Sequence, residues 1–141
     1  MPNIFRNFDS RLEHRALGSA AITSTTTIVT KAERVPQRTR YVTKAILEAI
    51  KISANDEVYT LVAEVSNDGF STKEVAGILS FGPVETRVGG APDNAAGDEY
   101  DLHWSTEVNG VVYEDWRLRL ILGGSSPSIT IGCWSGVEEG I

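Results

Sequence analysis

The feature that most constrains this chain is a set of short segments in which apolar and polar side chains alternate with a period of two. The clearest is EVYTLVAEVS, residues 57–66, which the turn sequence NDG follows. One face of this segment carries four apolar side chains, those of Tyr59, Leu61, Ala63 and Val65. The other face carries Thr60 and Glu64. Because successive side chains of a strand point to opposite sides of a sheet, this pattern predicts a β-strand with one buried face.

A second segment, YVTKAILEAIKI at residues 41–52, fits two kinds of structure. The spacing of Lys44 and Glu48, together with the alanine and leucine content, suits a helix. The β-branched residues at both ends favour a long strand instead. We therefore predict a strand here.

Later segments predict further strands separated by turns. In EVAGILSFG, residues 74–82, three side chains are predicted to face inward, those of Val75, Leu79 and Phe81. Residues 82–97 are rich in Gly, Pro, Ala and Asp and predict a long connection, and a last strand is predicted over residues 128–134. About six or seven strands without a convincing helix predict an all-β fold, an antiparallel β-sandwich.

Two of the predicted strands flank the sequence VNG, residues 108–110, and are expected to form one hairpin. A two-residue Asn-Gly loop would mix both arginines with the large apolar side chains, so we favour a three-residue loop with Gly110 in the left-handed region. In that register Leu102 lies opposite Trp116 on the buried face. The exposed face is then predicted to carry three charge pairs: Asp101 with Arg117, Glu99 with Arg119, and His103 with Asp115.

The first forty residues differ from the rest of the chain in showing no sustained periodicity. The spacing of Ser10 and Glu13 matches a capping box and predicts one or two helical turns near residues 11–17. We therefore divide the chain into an N-terminal arm with a lead-in strand, residues 1–40, and a sandwich body, residues 41–141.

Charge is distributed unevenly between these two parts. The arm, residues 1–40, has seven basic and three acidic residues, a balance of +4, whereas residues 41–141 have six basic and sixteen acidic residues, a balance of −10. Since nucleic-acid binding depends on positive charge that faces the phosphates, we expect no nucleic-acid partner. The arm is expected either to fold over its own body or to dock on a neighbouring protein.

Several functional classes are disfavoured by the residue types present. Cys133 is the sole cysteine and is accompanied by two histidines, His14 and His103, which disfavours a disulfide framework and a Cys/His metal site. No apolar run approaches the roughly 18 residues of a membrane span, and MPNIFRNFDSR is too polar for a secretory signal. We expect a soluble protein made in the cytoplasm, with no membrane partner.

Three local sequences contain residue types that also occur in catalytic or ligand-binding sites. His103, with Asp101 and Asp115, has no partnered nucleophile, so a solvated cross-strand pair is favoured over a proton-transfer group. The acidic sequence DNAAGDEYD, residues 93–101, matches no compact calcium loop, and GGSSPS, residues 123–128, lacks the lysine and the helix of a phosphate loop. The expectation is therefore a protein without cofactor or metal, and not an enzyme.

NDEVYTLVAEVSND at residues 55–68 and WRLRLILGGSSPSITIGCWSG at residues 116–136 resemble the β-sandwich decoration (cement) proteins of tailed-phage capsids. The resemblance covers residues 40–136, about two thirds of the chain. It implies a jelly-roll-like sandwich that forms homotrimers on the capsid exterior, where major capsid proteins meet, with no catalytic residues to carry over. The expected function is that of a virion structural protein that stabilises a phage capsid.

The arm is the segment expected to contact the capsid. A basic arm with spaced hydrophobic residues can order on a preformed protein lattice, and three arms on one trimer would raise avidity. Within residues 1–22, the side chains expected to touch the major capsid protein or an adjacent protomer are Ile4, Phe5, Arg6, Phe8, Arg11, Leu12, Arg15 and Leu17.

Two other functions are compatible with the sequence. Trp134 alternates away from the predicted buried positions of its strand and is a candidate exposed or interfacial aromatic. Trp134 or Tyr113 would suit a carbohydrate-binding sandwich that stacks sugars on exposed aromatic rings. A different virion component, such as a head-tail connector or a tail protein, is the other alternative.

Overall fold

The computed structural model describes residues 13–31 and 39–137, and nearly all regular structure within these ranges is β. The strands are β1 (Glu13–Arg15), β2 (Thr26–Lys31), β3 (Arg40–Ile50), β4 (Val58–Ser66), β5 (Glu74–Phe81), β6 (Glu99–Ser105), β7 (Glu107–Val108), β8 (Val111–Val112), β9 (Asp115–Gly123) and β10 (Ile129–Val137). A 3-10 turn, Val88–Gly90, lies in the long connection between β5 and β6. Among the described residues no helix is long and apolar enough to span a membrane.

The longer strands form two antiparallel sheets that pack against each other. The first sheet has the order β1-β10-β3-β6 and the second has the order β2-β9-β4-β5. The pairings are nested along the chain, with β1 next to β10, β2 next to β9, β3 next to β6, and β4 next to β5. This is the double-sheet, eight-stranded arrangement of a jelly roll. The predicted all-β antiparallel sandwich is confirmed.

Alternating burial explains why the two longest predicted strands form. β3 buries every second side chain, at Tyr41, Thr43, Ala45 and Leu47. β4 buries the four apolar side chains predicted for its inner face, those of Tyr59, Leu61, Ala63 and Val65. A helix over residues 41–52 would have spread these β3 side chains around its surface, whereas a strand places all of them on the core side.

The predicted hairpin of β6 and β9 is wrong, because these strands lie in different sheets. Asp101 of β6 is opposite Lys44, and Arg117 of β9 is opposite Glu64, so the predicted pairing of Asp101 with Arg117 does not form. The same separation excludes the pairs Glu99 with Arg119 and His103 with Asp115. The apolar faces were nevertheless assigned correctly: Leu102, Trp104, Trp116 and Leu118 are all buried. Alternation indicates which face of a strand is buried but not which strand lies beside it.

The turn at Asn109 and Gly110 also differs from the prediction. Val108 of β7 pairs with Val111 of β8, so the loop has two residues rather than three. Both Asn109 (φ 53°) and Gly110 (φ 81°) have positive φ, as a type I′ turn requires. The turn closes a small separate hairpin, and residues 113–114 then lead the chain to the second sheet.

The two arginines of β9 bind a buried carboxylate on the outer side of the second sheet. Arg117 Nε lies 2.7 Å from Glu64 Oε1, and Arg119 Nη1 lies 3.6 Å from Glu64 Oε2. The guanidinium of Arg117 also lies 4.3 Å from the centre of the Phe70 ring. Since a buried carboxylate is costly unless it is paired, these contacts explain why Glu64 can be only 3% exposed.

β5 departs from its predicted pattern at one residue. Leu79 and Phe81 face the core as predicted, but Val75 is 47% exposed. The register with β4 shifts between Gly77 and Val75, so that Ala76 is an extra residue and Val75 turns to the outer face. The prediction that Val75 faces inward is therefore wrong.

Loops at one end of the sandwich are held together by direct contacts. Asp56 accepts hydrogen bonds from the amide (3.1 Å) and hydroxyl (2.7 Å) of Ser125. Buried Glu57 accepts hydrogen bonds from Lys51 Nζ and from the Ala54 amide, each at 3.0 Å. Burial alone would raise the pKa of Glu57, but these hydrogen bonds outweigh it and lower that pKa. The β3–β4 and β9–β10 connections therefore form one packed unit.

Gly124 belongs to this unit, and we predict that Gly124→Ala destabilises the protein far more than Gly97→Ala. Both residues have a left-handed φ, +94° and +95° respectively, so both substitutions cost about 1–2 kcal/mol of backbone strain. At Gly124 the added Cβ would also overlap the backbone of Asp56, whereas at Gly97 nothing lies within 4 Å. Denaturant unfolding should give a loss of about 3 kcal/mol or more for Gly124→Ala. Equal losses would contradict the close packing of these loops.

Candidate functional site

The described part of the arm is attached to the outer edge of the first sheet. β1 pairs with β10, with Glu13 opposite Trp134 and Arg15 opposite Cys133. We call residues 13–22, with the side chains they contact, the N-terminal anchor. The predicted helical turns are wrong for residues 13–15, which form β1, and Ser10 lies outside the described residues.

The side chain of His14 connects β1 to the interior. Its Nε2 lies 2.7 Å from Ser135 Oγ, which lies 2.8 Å from Thr43 Oγ1. Thr43 Oγ1 in turn accepts a hydrogen bond of 2.9 Å from Trp104 Nε1. The His14 ring also meets the Trp116 ring edge-on, with centroids 5.6 Å apart. This chain of hydrogen bonds passes through β1, β10, β3 and β6, which is the order of strands in the first sheet.

Sequence reasoning assigned no role to His14, although a signal was present. Thr43 and Ser135 both lie at inward positions of strands that are otherwise apolar on that side, and both are 0% exposed. Buried hydroxyl groups need hydrogen-bond partners, and although these two bond to each other, each hydroxyl can form a further hydrogen bond with a polar side chain of a neighbouring strand. The sequence cannot show that this partner comes from the arm.

The turn after β1 packs on the outer face of the first sheet. Leu17 lies over Gly132 of β10, where an added Cβ would meet Leu17 Cδ2 at 2.5 Å. The Gly18 amide donates to both carboxylate oxygens of Glu48, at 2.9 and 3.1 Å. Leu17 remains 52% exposed, so it contacts the sheet on one side only.

The anchor ends where the chain passes to the second sheet. The Arg15 guanidinium donates to the Ala20 carbonyl, which closes the turn. Ile22 and Ile129 exchange two backbone hydrogen bonds, of 2.7 and 3.0 Å, and Ile22 is buried. The chain then continues into β2, which pairs with β9. Residues 13–31 thus contribute β1 to the first sheet and β2 to the second.

Trp134 lies half-buried on the outer face of β10, between Glu13 of β1 and Lys44 of β3. Lys44 Nζ is 3.5 Å from Glu99 and 3.8 Å from Asp101. These exposed ion pairs contribute little to stability, but they leave excess negative charge beside Trp134. Trp104 and Trp116 lie inside the sandwich at 4% and 0% exposure and cannot stack on a ligand at the surface.

The residues considered as candidates for a catalytic or metal site either lie in different sheets or form hydrogen bonds that hold a loop. His103 is exposed on β6, whereas Asp115 is on β9 in the other sheet. In the 93–101 loop, Asp93 accepts a hydrogen bond of 2.7 Å from the Val84 amide. Asp98 accepts one of 3.0 Å from the Ala95 amide. Across residues 13–31 and 39–137, no three His, Cys, Asp or Glu side chains are grouped to hold a metal ion.

Cys133 is fully buried against the inner aromatic cluster. Burial raises the pKa of its thiol to about 12. A thiol with such a pKa is protonated at neutral pH, and the thiolate is the nucleophilic form. Cys133 therefore acts as a small core residue.

The N-terminal anchor is the site at which the described candidate residues meet. It contains Arg15 and Leu17 and lies beside Trp134. The other arm residues predicted to make contacts, Ile4, Phe5, Arg6, Phe8, Arg11 and Leu12, lie outside the described residues. Comparison with protein-family models, curated proteins and solved structures finds no match to this chain.

We predict that His14→Ala lowers the free energy of unfolding by about 1–3 kcal/mol, because buried Ser135 loses a hydrogen-bond partner. The matched control is His103→Ala, which removes an exposed histidine from β6 and should change stability by no more than about 0.5 kcal/mol. Urea unfolding followed by tryptophan fluorescence measures both. Equal losses of unfolding free energy for the two variants would contradict a structural role of the hydrogen bonds that start at His14.

Proposed function

We propose that this protein is a virion structural protein that binds the outside of a phage capsid and stabilises it as a decoration protein. The N-terminal anchor is the observation that supports this most, because it fixes Glu13 at the edge of the first sheet. The residues directly before it combine apolar and basic side chains: Ile4, Phe5, Phe8 and Leu12 with Arg6 and Arg11. A binding segment that starts from a fixed point loses less freedom on binding than one that starts from a flexible linker.

The anchor divides the predicted contact residues into two groups. Arg15 and Leu17 are engaged with their own chain, at Ala20 and Gly132 respectively. We therefore assign the contact with the major capsid protein to residues 1–12, and the attachment of the arm to residues 13–22.

Charge supports the same division of roles. The body, residues 41–141, has a balance of −10 and stays well solvated, whereas Arg6 and Arg11 precede it in the arm. A capsid surface with an apolar groove bordered by acidic side chains would fit residues 1–12. The resemblance implies three arms in one assembly, and any number above one raises avidity without stronger single contacts.

We predict that deleting residues 1–12 abolishes retention on capsids while the sandwich stays folded, because the deletion leaves the anchor intact. Purified protein is mixed with capsids produced without it, and the bound fraction is measured after sedimentation. The double variant Phe5→Ser, Phe8→Ser should bind more than about tenfold more weakly, since each buried aromatic contributes about 1.5–3 kcal/mol. The control Val111→Ser, Val112→Ser changes two exposed valines of β8 and should bind normally.

Two results would contradict different parts of the proposal. If the deletion variant sediments with capsids as the full chain does, the assignment of contact to residues 1–12 is wrong. If the full chain itself does not sediment with capsids, the decoration function is wrong.

A further inference from the structure

β5 is the outermost strand of the second sheet, and among the described residues no strand pairs with its outer side. Its sequence from Val75 to Phe81 carries no charge. Two of its apolar side chains are exposed, Val75 by 47% and Ile78 by 56%. Because Ala76 is an extra residue in the strand, both of these side chains point to the outer face of the sheet.

The other sheet ends differently on the same side of the sandwich. Its edge strand, β6, alternates outward-facing Glu99, Asp101 and His103 with buried apolar residues. Charged side chains on an edge strand prevent it from pairing with another chain, and an uncharged apolar edge lacks this protection. β6 is therefore a protected edge, whereas β5 has no charged side chain between Val75 and Phe81 that would oppose pairing.

We propose that β5 pairs with β5 of a second copy of this chain, in antiparallel orientation around a two-fold axis. The register that we propose places Val75 opposite Ile78 of the second copy, and Ile78 opposite its Val75. The axis then passes between Ala76 and Gly77.

This register follows from the position of the bulge. Val75, Ile78 and Ser80 face outward, whereas Gly77, Leu79 and Phe81 face inward, as their partners on β4 show. With Val75 opposite Ile78, the irregular step at Ala76 lies directly across from the same step in the second copy. Outward side chains therefore stay opposite outward ones along the strand, whereas a shift by one residue would break this match.

The charges in the contact also suit a second copy. Glu74 is the charged residue of β5, and in this register it lies opposite Leu79 of the second copy. The two Glu74 residues are then offset by five positions, roughly 16 Å along the strands, which exceeds a Debye length of about 8 Å. The pairing joins two four-stranded sheets into one continuous sheet and forms two contacts between Val75 and Ile78, one on each side of the axis.

The test is the mass of the full chain in solution, measured by light scattering over a concentration series. We expect a dimer for the natural chain. Ile78→Lys and Val75→Glu should each weaken dimerisation by more than about tenfold, because each places two charges in the contact. The double variant Val75→Glu, Ile78→Lys should regain the dimer at low salt, since each glutamate then faces a lysine of the other copy.

Val111→Lys serves as the matched control, because Val111 is 46% exposed but lies on β8. It should dimerise as the natural chain does, and circular dichroism should show that all variants keep the fold. A natural chain that stays monomeric at every concentration, or that forms a trimer, would overturn the proposal. A dimer that Ile78→Lys leaves intact, or a double variant that stays monomeric, would overturn the proposed register.

Discussion

A chain of hydrogen bonds runs across the first sheet in the order of its strands, from half-buried His14 through buried Ser135 and Thr43 to Trp104. Buried polar groups of this kind are costly unless all are paired, so the correct placement of one strand depends on the others. The chain also ties β1 to β10, which is the outermost of the nested pairings. The other nested strand pairings of the jelly roll join residues that lie between β1 and β10 in the sequence.

The second sheet also contains a buried polar group that needs partners, on its outer side. Glu64 is nearly inaccessible there, and Arg117 and Arg119 neutralise it across β4 and β9. Ionic and hydrogen-bonded groups thus specify which strands are neighbours, while apolar burial drives the packing of the two sheets. The attachment of residues 13–22 fixes Glu13, the point from which the proposed contact residues 1–12 extend, and this relates the fold to the proposed function.

The sequence predicted the buried faces of the strands well and their neighbours poorly. Alternation identified β4 correctly, and the β-branched residues at both ends of residues 41–52 favoured a strand at β3, where burial repeats at every second residue. The same signal could not show that Leu102 and Trp116 face each other from opposite sheets, since both arrangements bury the same side chains. The anchor was missed because a single histidine in a segment without periodicity indicates no partner.

The central claim is that residues 13–22 are an integral part of the sandwich, held by the pairing with β10 and by His14. Native-state hydrogen exchange measures this directly, since protection reports how often a backbone hydrogen bond opens. The account predicts that the amide of Ile22, bonded to Ile129 at 2.7 Å, and the amides of β1 are protected together with those of β10. Exchange of residues 13–22 at the rate of an unfolded chain, while β10 stays protected, would contradict it.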